Sequence, residues 1–155
     1  MLSTSLSAAD ITGFWRTLND KTGKSESVIA IYRYKDSYYG RIIASYEPDG
    51  QMIDTIYTPQ SRAPGVVGNP YYSGLDIIWG VRQVGSRYKG KILDPRQGKI
   101  YDAELWTRNG NLIVRGEVLF IGKNITWPPA RKQDFPKKFK KPDLKTFVPT
   151  IPRPA

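Results

Sequence analysis

Apolar and polar residues alternate along short runs of this chain, and nowhere do apolar residues recur at the spacing of an amphipathic helix. A period of two, cut every few residues by turn signals, restricts the chain to strands and turns. The runs are Gly13–Leu18, Ser27–Tyr34, Tyr38–Glu47, Met52–Tyr57, Leu75–Val81, Tyr88–Leu93, Lys99–Thr107 and Leu112–Ile121. Between them stand Asp20-Lys21-Thr22-Gly23, Asp36-Ser37, Pro48-Asp49-Gly50, Pro95-Arg96-Gln97-Gly98 and Asn109-Gly110. Asn109-Gly110 is the strongest hairpin signal, because both central positions of a type I′ turn need positive φ. Twelve prolines, fourteen glycines and ten tyrosines agree with this reading, since Pro and Gly break helices while Tyr suits a pleated surface. Eight strands joined by short turns predict an all-β fold, an antiparallel up-and-down barrel whose closure removes free sheet edges.

Two stretches leave this rhythm. Residues 58–74 carry three prolines and three glycines around the apolar pieces Val66-Val67 and Tyr71-Tyr72. Loops of that length are uncommon in compact domains and serve either as binding loops or as surface crossovers. From Pro128 onward seven of the twelve prolines accompany Lys137-Lys138-Phe139-Lys140-Lys141. Such a composition supports neither ladder nor helix and predicts an extended arm, disordered or laid across the barrel through Phe135, Phe139, Leu144, Phe147, Val148 and Ile151. The expected organisation is therefore 1–10 as a signal remnant or polar terminus, 11–127 as the barrel, and 128–155 as the arm.

Charge is concentrated in the arm. Its 28 residues hold eight of the 24 basic residues against two of the 14 acids, a net +6 of the chain's +10. The barrel's share is ordinary, so the basic balance speaks of the arm's partners and solubility more than of the fold's task. Lys137–Lys141 could touch an anionic surface or simply be solvated. No apolar run approaches the length of a membrane-spanning helix. Leu2–Ala9 looks like the end of a secretory signal without a basic start or a full apolar core.

The chain has no His and no Cys. Disulfides, thiolate nucleophiles, His bases and nearly all zinc sites are thereby excluded, and no metal or cofactor is expected. An enzyme would need a buried Asp, Glu, Lys or Tyr, and none is signalled. Asp94-Pro95-Arg96-Gln97-Gly98 reads as turn chemistry, the Asp bonding the backbone and the Gly taking positive φ. Asn124-Ile125-Thr126 matches a glycosylation acceptor that is irrelevant in a bacterial source.

Gly13-Phe14-Trp15 resembles the start of lipocalins and related calycin barrels, where the Trp plugs the closed end and a basic residue of the last strand lies over its ring; Arg115 is the candidate partner. A longer resemblance runs through Gly90–Tyr101, Leu112–Gly116 and Phe120–Trp127, together with Tyr39-Gly40-Arg41-Ile42. Over roughly residues 12–128 the chain is similar to a family of exported bacterial domains of unknown function. Its members form calycin-like barrels and include a secreted lipocalin-like protein that takes up apolar ligands. The resemblance implies a secreted or periplasmic location and a non-catalytic role. The family usually carries a Cys-containing segment near mid-chain, which residues 58–74 lack, so nothing is carried over to that loop.

The resulting expectation is a barrel that binds a small hydrophobic or amphipathic molecule among Tyr32, Tyr34, Ile42, Tyr46, Leu75, Ile77, Trp79, Tyr101, Leu105 and Phe120. The same residues could instead pack solid, since eight-stranded barrels can fill themselves. The alternative function is a polyanion or nucleic-acid module using the basic arm. It ranks well below, because no paired aromatic platform of the RNA-binding kind is present and most excess charge lies outside the barrel.

Overall fold

A computed structural model describes residues 9–118 and 121–155. Among these the strands are β1 (Gly13–Leu18), β2 (Ser25–Tyr34), β3 (Ser37–Tyr46), β4 (Met52–Thr55), β5 (Asp76–Val84), β6 (Arg87–Asp94), β7 (Lys99–Arg108), β8 (Asn111–Val118) and β9 (Ile121–Trp127). Pairing is antiparallel throughout and follows β1-β2-β3-β5-β6-β7-β8-β9, with β4 attached to β3 off that path. The result is an up-and-down barrel of eight strands, nearly closed. Its seam is stitched by the residues just after β9: the Arg16 amide donates to the Pro128 carbonyl and the Ala130 amide to the Phe14 carbonyl, each at 2.8 Å.

Two staves differ from the pattern in the sequence. Met52–Tyr57 contributes only the short β4 beside the far half of β3, and the eighth stave is β9, which follows the last expected run, Leu112–Ile121, and overlaps it only at Ile121. Lys123, Asn124, Ile125 and Thr126 are all exposed, so this stretch of β9 offers alternation no buried stripe to reveal it. Asn109-Gly110 forms its turn as expected, with φ of 53° and 80°.

Both faces of the first staves are buried. Inside, Ile29, Ile31, Ile42, Leu75, Ile77, Ile78, Val81, Leu105, Leu112, Val114 and Trp127 make one continuous core. Outside, Val28, Ala30 and Ile43 are covered together with Phe14 and Tyr46 by Phe135, Phe139, Leu144 and Phe147 of the arm. The arm is therefore docked. It runs extended with single turns at Lys132–Asp134 and Leu144–Thr146, and its phenylalanines supply the burial that its prolines deny to a ladder.

One end of the barrel is plugged. Ile11 is wholly buried, Trp15 donates its indole N–H to the Ile11 carbonyl at 3.0 Å, and Tyr88 donates its hydroxyl to the Ala9 carbonyl at 3.0 Å. Arg115, the candidate partner for Trp15, alternates with the inward Val114 and so stands on the outer side, where it donates to Asn124 at 3.2 Å. Residues 1–8, which include most of the signal-like stretch, lie outside the described residues.

Candidate functional site

The end opposite the plug is open. A cavity of about 800 Å³ enters the barrel there, between the β1–β2 turn, the β3–β4 turn and the β6–β7 turn. Alternation positions its wall: Thr17 follows the inward Trp15, Ser25 and Ser27 precede the inward Ile29, and Ser45 follows the inward Ile42 across a bulge. Ile29, Ile42, Ile77 and Tyr72 line it at depth, while Thr17, Ser25, Ser27, Ser45 and Ser61 supply hydroxyls toward the mouth. Thr17 and Ser27 share a hydrogen bond of 2.6 Å. Asp54 is 6% exposed and accepts from the Gln60 amide (3.1 Å), the Ser61 amide (3.2 Å) and the Ser73 hydroxyl (2.8 Å), tying the start of the long loop to the rim. The same loop is pinned to the β6–β7 turn by the Gly65 amide, which donates to the Pro95 carbonyl at 2.9 Å.

A second polar cluster lies on the outer surface, beneath the arm. Arg41 grips Asp76 with Nε on Oδ1 and Nη2 on Oδ2, both at 3.1 Å, and Tyr32 donates its hydroxyl to Oδ1 at 2.7 Å. The arm completes the cluster: the Thr150 amide donates to Asp76 Oδ2 at 2.9 Å, the Val148 carbonyl accepts from Arg41 at 2.8 Å, and the Phe147 ring centre lies 4.3 Å from the guanidinium carbon. Burial, and next the Asp76 hydrogen bond, push the Tyr32 hydroxyl far above its ordinary pKa. Burial works against the Arg41 charge, but Asp76 more than offsets it and the guanidinium pKa is raised. Each polar group is satisfied by the others, so the cluster latches the arm to the barrel. Among the described residues no group of three acidic side chains converges as a metal site would require.

The sequence pattern of a family described as "Uncharacterized protein conserved in bacteria (DUF2147)" matches residues 13–128. The chain belongs to DUF2147. That match spans the barrel and the seam residue Pro128. No curated protein matches this DUF2147 chain in sequence. Among solved structures, that titled "Protein HP1028 from the human pathogen Helicobacter pylori belongs to the lipocalin family" is similar in fold. Its TM-score is 0.64 at 19% identity, over 82% of this chain and 87% of that one. The barrel of this DUF2147 chain thus shares its fold with that structure.

The residues expected to contact a ligand separate into groups. Ile42 and Ile77 line the cavity, and Tyr46 sits at its rim while its hydroxyl donates outward to the Asp134 carbonyl at 2.9 Å. Leu75 and Leu105 belong to the inner core, and Trp79 is half-buried against it. Tyr101 is half-buried and shares the face of Ala103 and Leu105 by alternation. Tyr32 and Tyr34 lie on the outer side of β2, Tyr32 beneath Phe147 and Tyr34 edge-on to Tyr39. Their placement has a plain cause: the alternate face of the same run, Ile29 and Ile31, is the one turned inward. Phe120 lies outside the described residues. Thr17, Ser27, Ser45 and Asp54 carry no site signal in the sequence, because small polar residues on a strand ordinarily mark its solvated face, and here that position is the wall of a cavity.

Proposed function

We propose that this protein is exported and holds a small hydrophobic or amphipathic molecule in its barrel, entering by the open end. One observation carries the reading: a cavity of about 800 Å³, within the size range of small-molecule sites, reaches an apolar floor at Ile29, Ile42 and Ile77 while the opposite end is sealed. Ile42 and Ile77 are the expected ligand contacts that this site uses, with Leu75 and Leu105 forming the core behind it. The barrel acts as a binding protein without catalysis. Native mass spectrometry of the protein purified from its own host tests the reading. A co-purifying apolar or amphipathic molecule supports it, and failure to bind any apolar fluorophore or co-purify any ligand would overturn it. Fractionation of host cells tests the location, with the protein expected outside the cytoplasm.

The alternative is polyanion binding by the arm, whose Lys137, Lys138 and Lys140 are exposed. Affinity for a polyanion would then fall steeply with salt, whereas uptake of an uncharged apolar molecule would hardly respond.

A further inference from the structure

The polar part of the cavity wall is a row. In the strand register Thr17 of β1 is opposite Ser27 of β2, Ser27 is opposite Ser45 of β3, and Ser45 is opposite Asp54 of β4. All four line the cavity. Directly opposite partners in a sheet stand at one depth, so the three hydroxyls and the carboxylate form a belt across four neighbouring strands. Deeper in the barrel the next inward positions of β2 and β3 are Ile29 and Ile42, themselves in register. The wall therefore changes from hydrogen-bonding to apolar in a single step.

We infer that the ligand of this cavity is an amphipath with an uncharged, hydroxyl-bearing head group, held at the belt while its apolar tail lies on Ile29, Ile42 and Ile77. This rests on the reading of the cavity as a binding site. A hydroxyl both donates and accepts, and so matches a head group built of hydroxyls. A carboxylate head group is matched poorly, because the charged member of the belt is itself an acid. Around the mouth the described charged residues are Lys24 and Arg96 against Glu26, Glu47, Asp54 and Asp94, so no cationic surplus compensates. Like charges brought together in a partly dry site repel strongly.

Matched ten-carbon amphipaths test the inference on the full-length protein below their aggregation limits: 1-monodecanoylglycerol and decanoate, each displacing a fluorescent apolar probe. The expected result is displacement by the glyceride at about a tenth of the decanoate concentration or lower, as a few hydrogen bonds would give. A Ser27→Val, Ser45→Val double variant should reduce that advantage to less than about threefold and leave decanoate binding no weaker. Should the variant fail to fold, amide NMR shifts in the unaltered protein decide, with Thr17, Ser27 and Ser45 expected to move more for the glyceride than for decanoate. Equal or tighter binding of decanoate overturns the head-group inference and leaves the cavity reading standing. Binding of neither, nor of the probe, takes down both.

Discussion

Arg41 and Asp76 form a bidentate pair on the outside of a barrel, and the chain's own C-terminal arm is what keeps water from them. The pair joins β3 to β5 at the point where β3 exchanges partners, and Val148 and Thr150 bond to its two members. Fold and arm are thus coupled through one ion pair.

Asp76→Asn should be strongly destabilising. It leaves the Arg41 guanidinium half-buried without a counter-charge and weakens the acceptor used by Tyr32 and Thr150. Removing one partner of a buried pair costs about 3–5 kcal/mol. Urea unfolding monitored by tryptophan fluorescence measures the loss, and limited proteolysis should show faster cleavage after the lysines of the arm.

Phe135 meets Phe14 edge-on at 6.0 Å and stacks on Phe139 at 5.4 Å. Phe135→Ala should cost about 2–4 kcal/mol, toward the low end of core Phe truncations because the ring is partly exposed. It should also raise binding of a hydrophobic dye, as Val28, Ala30 and Ile43 lose cover. An unchanged midpoint in a denaturant titration would show that the arm contributes no stability.

Alkaline pH should unfold the protein earlier than an ordinary tyrosine content would suggest. Burial, with Asp134 acting on Tyr46 and Tyr38 acting on Tyr88, pushes both hydroxyls up to about 12, against about 10 in the unfolded chain. The folded state therefore holds these protons more tightly. Their contribution is fully present below pH ~10 and is lost as pH rises from about 10 toward 12. Circular dichroism with tyrosinate absorbance across that window checks the sign: stability should fall as pH rises, and tyrosinate should appear together with unfolding.

Gly65→Ala should disturb the rim. A Cβ there would lie 2.6 Å from the Pro95 carbonyl oxygen and would press on the Gly98 amide, so the long loop must lift from the β6–β7 turn. Such overpacking costs about 1–3 kcal/mol. Denaturant titration measures the cost, and hydrogen exchange should quicken at the Gly65 and Gly98 amides, which donate to Pro95 and Asp94.

Ile77→Trp should fill the cavity from its floor. Probe affinity is expected to drop at least about tenfold while the thermal midpoint falls by no more than a few degrees, since the added ring enters existing space. Retained affinity would place the ligand elsewhere.

Alternation marks which residues of a strand share a face, and for β2 that much was legible: Val28, Ala30, Tyr32 and Tyr34 do lie on one side. It does not say which side is inside. Val28 to Tyr32 is a continuous apolar run because the arm covers one face and the barrel interior the other, so both faces look like core. Bulges add to the ambiguity. The extra residue where β3 meets β5 places Ile77 and Ile78 together in the inner cluster, although strict alternation would separate them.

The amino-acid order alone determined the all-β class, the short turns, the meander and the extended arm, because each follows from local preferences: a period of two, positive φ at turns, and proline's missing amide. It also excluded thiol and imidazole chemistry outright by composition. Only the tertiary structure decided where the arm docks, that residues 128–130 stitch the seam, and that Thr17, Ser27, Ser45 and Asp54 stand in one row. Those relationships join residues far apart along the chain, and they depend on strand register and on closure of the sheet, which no local pattern encodes.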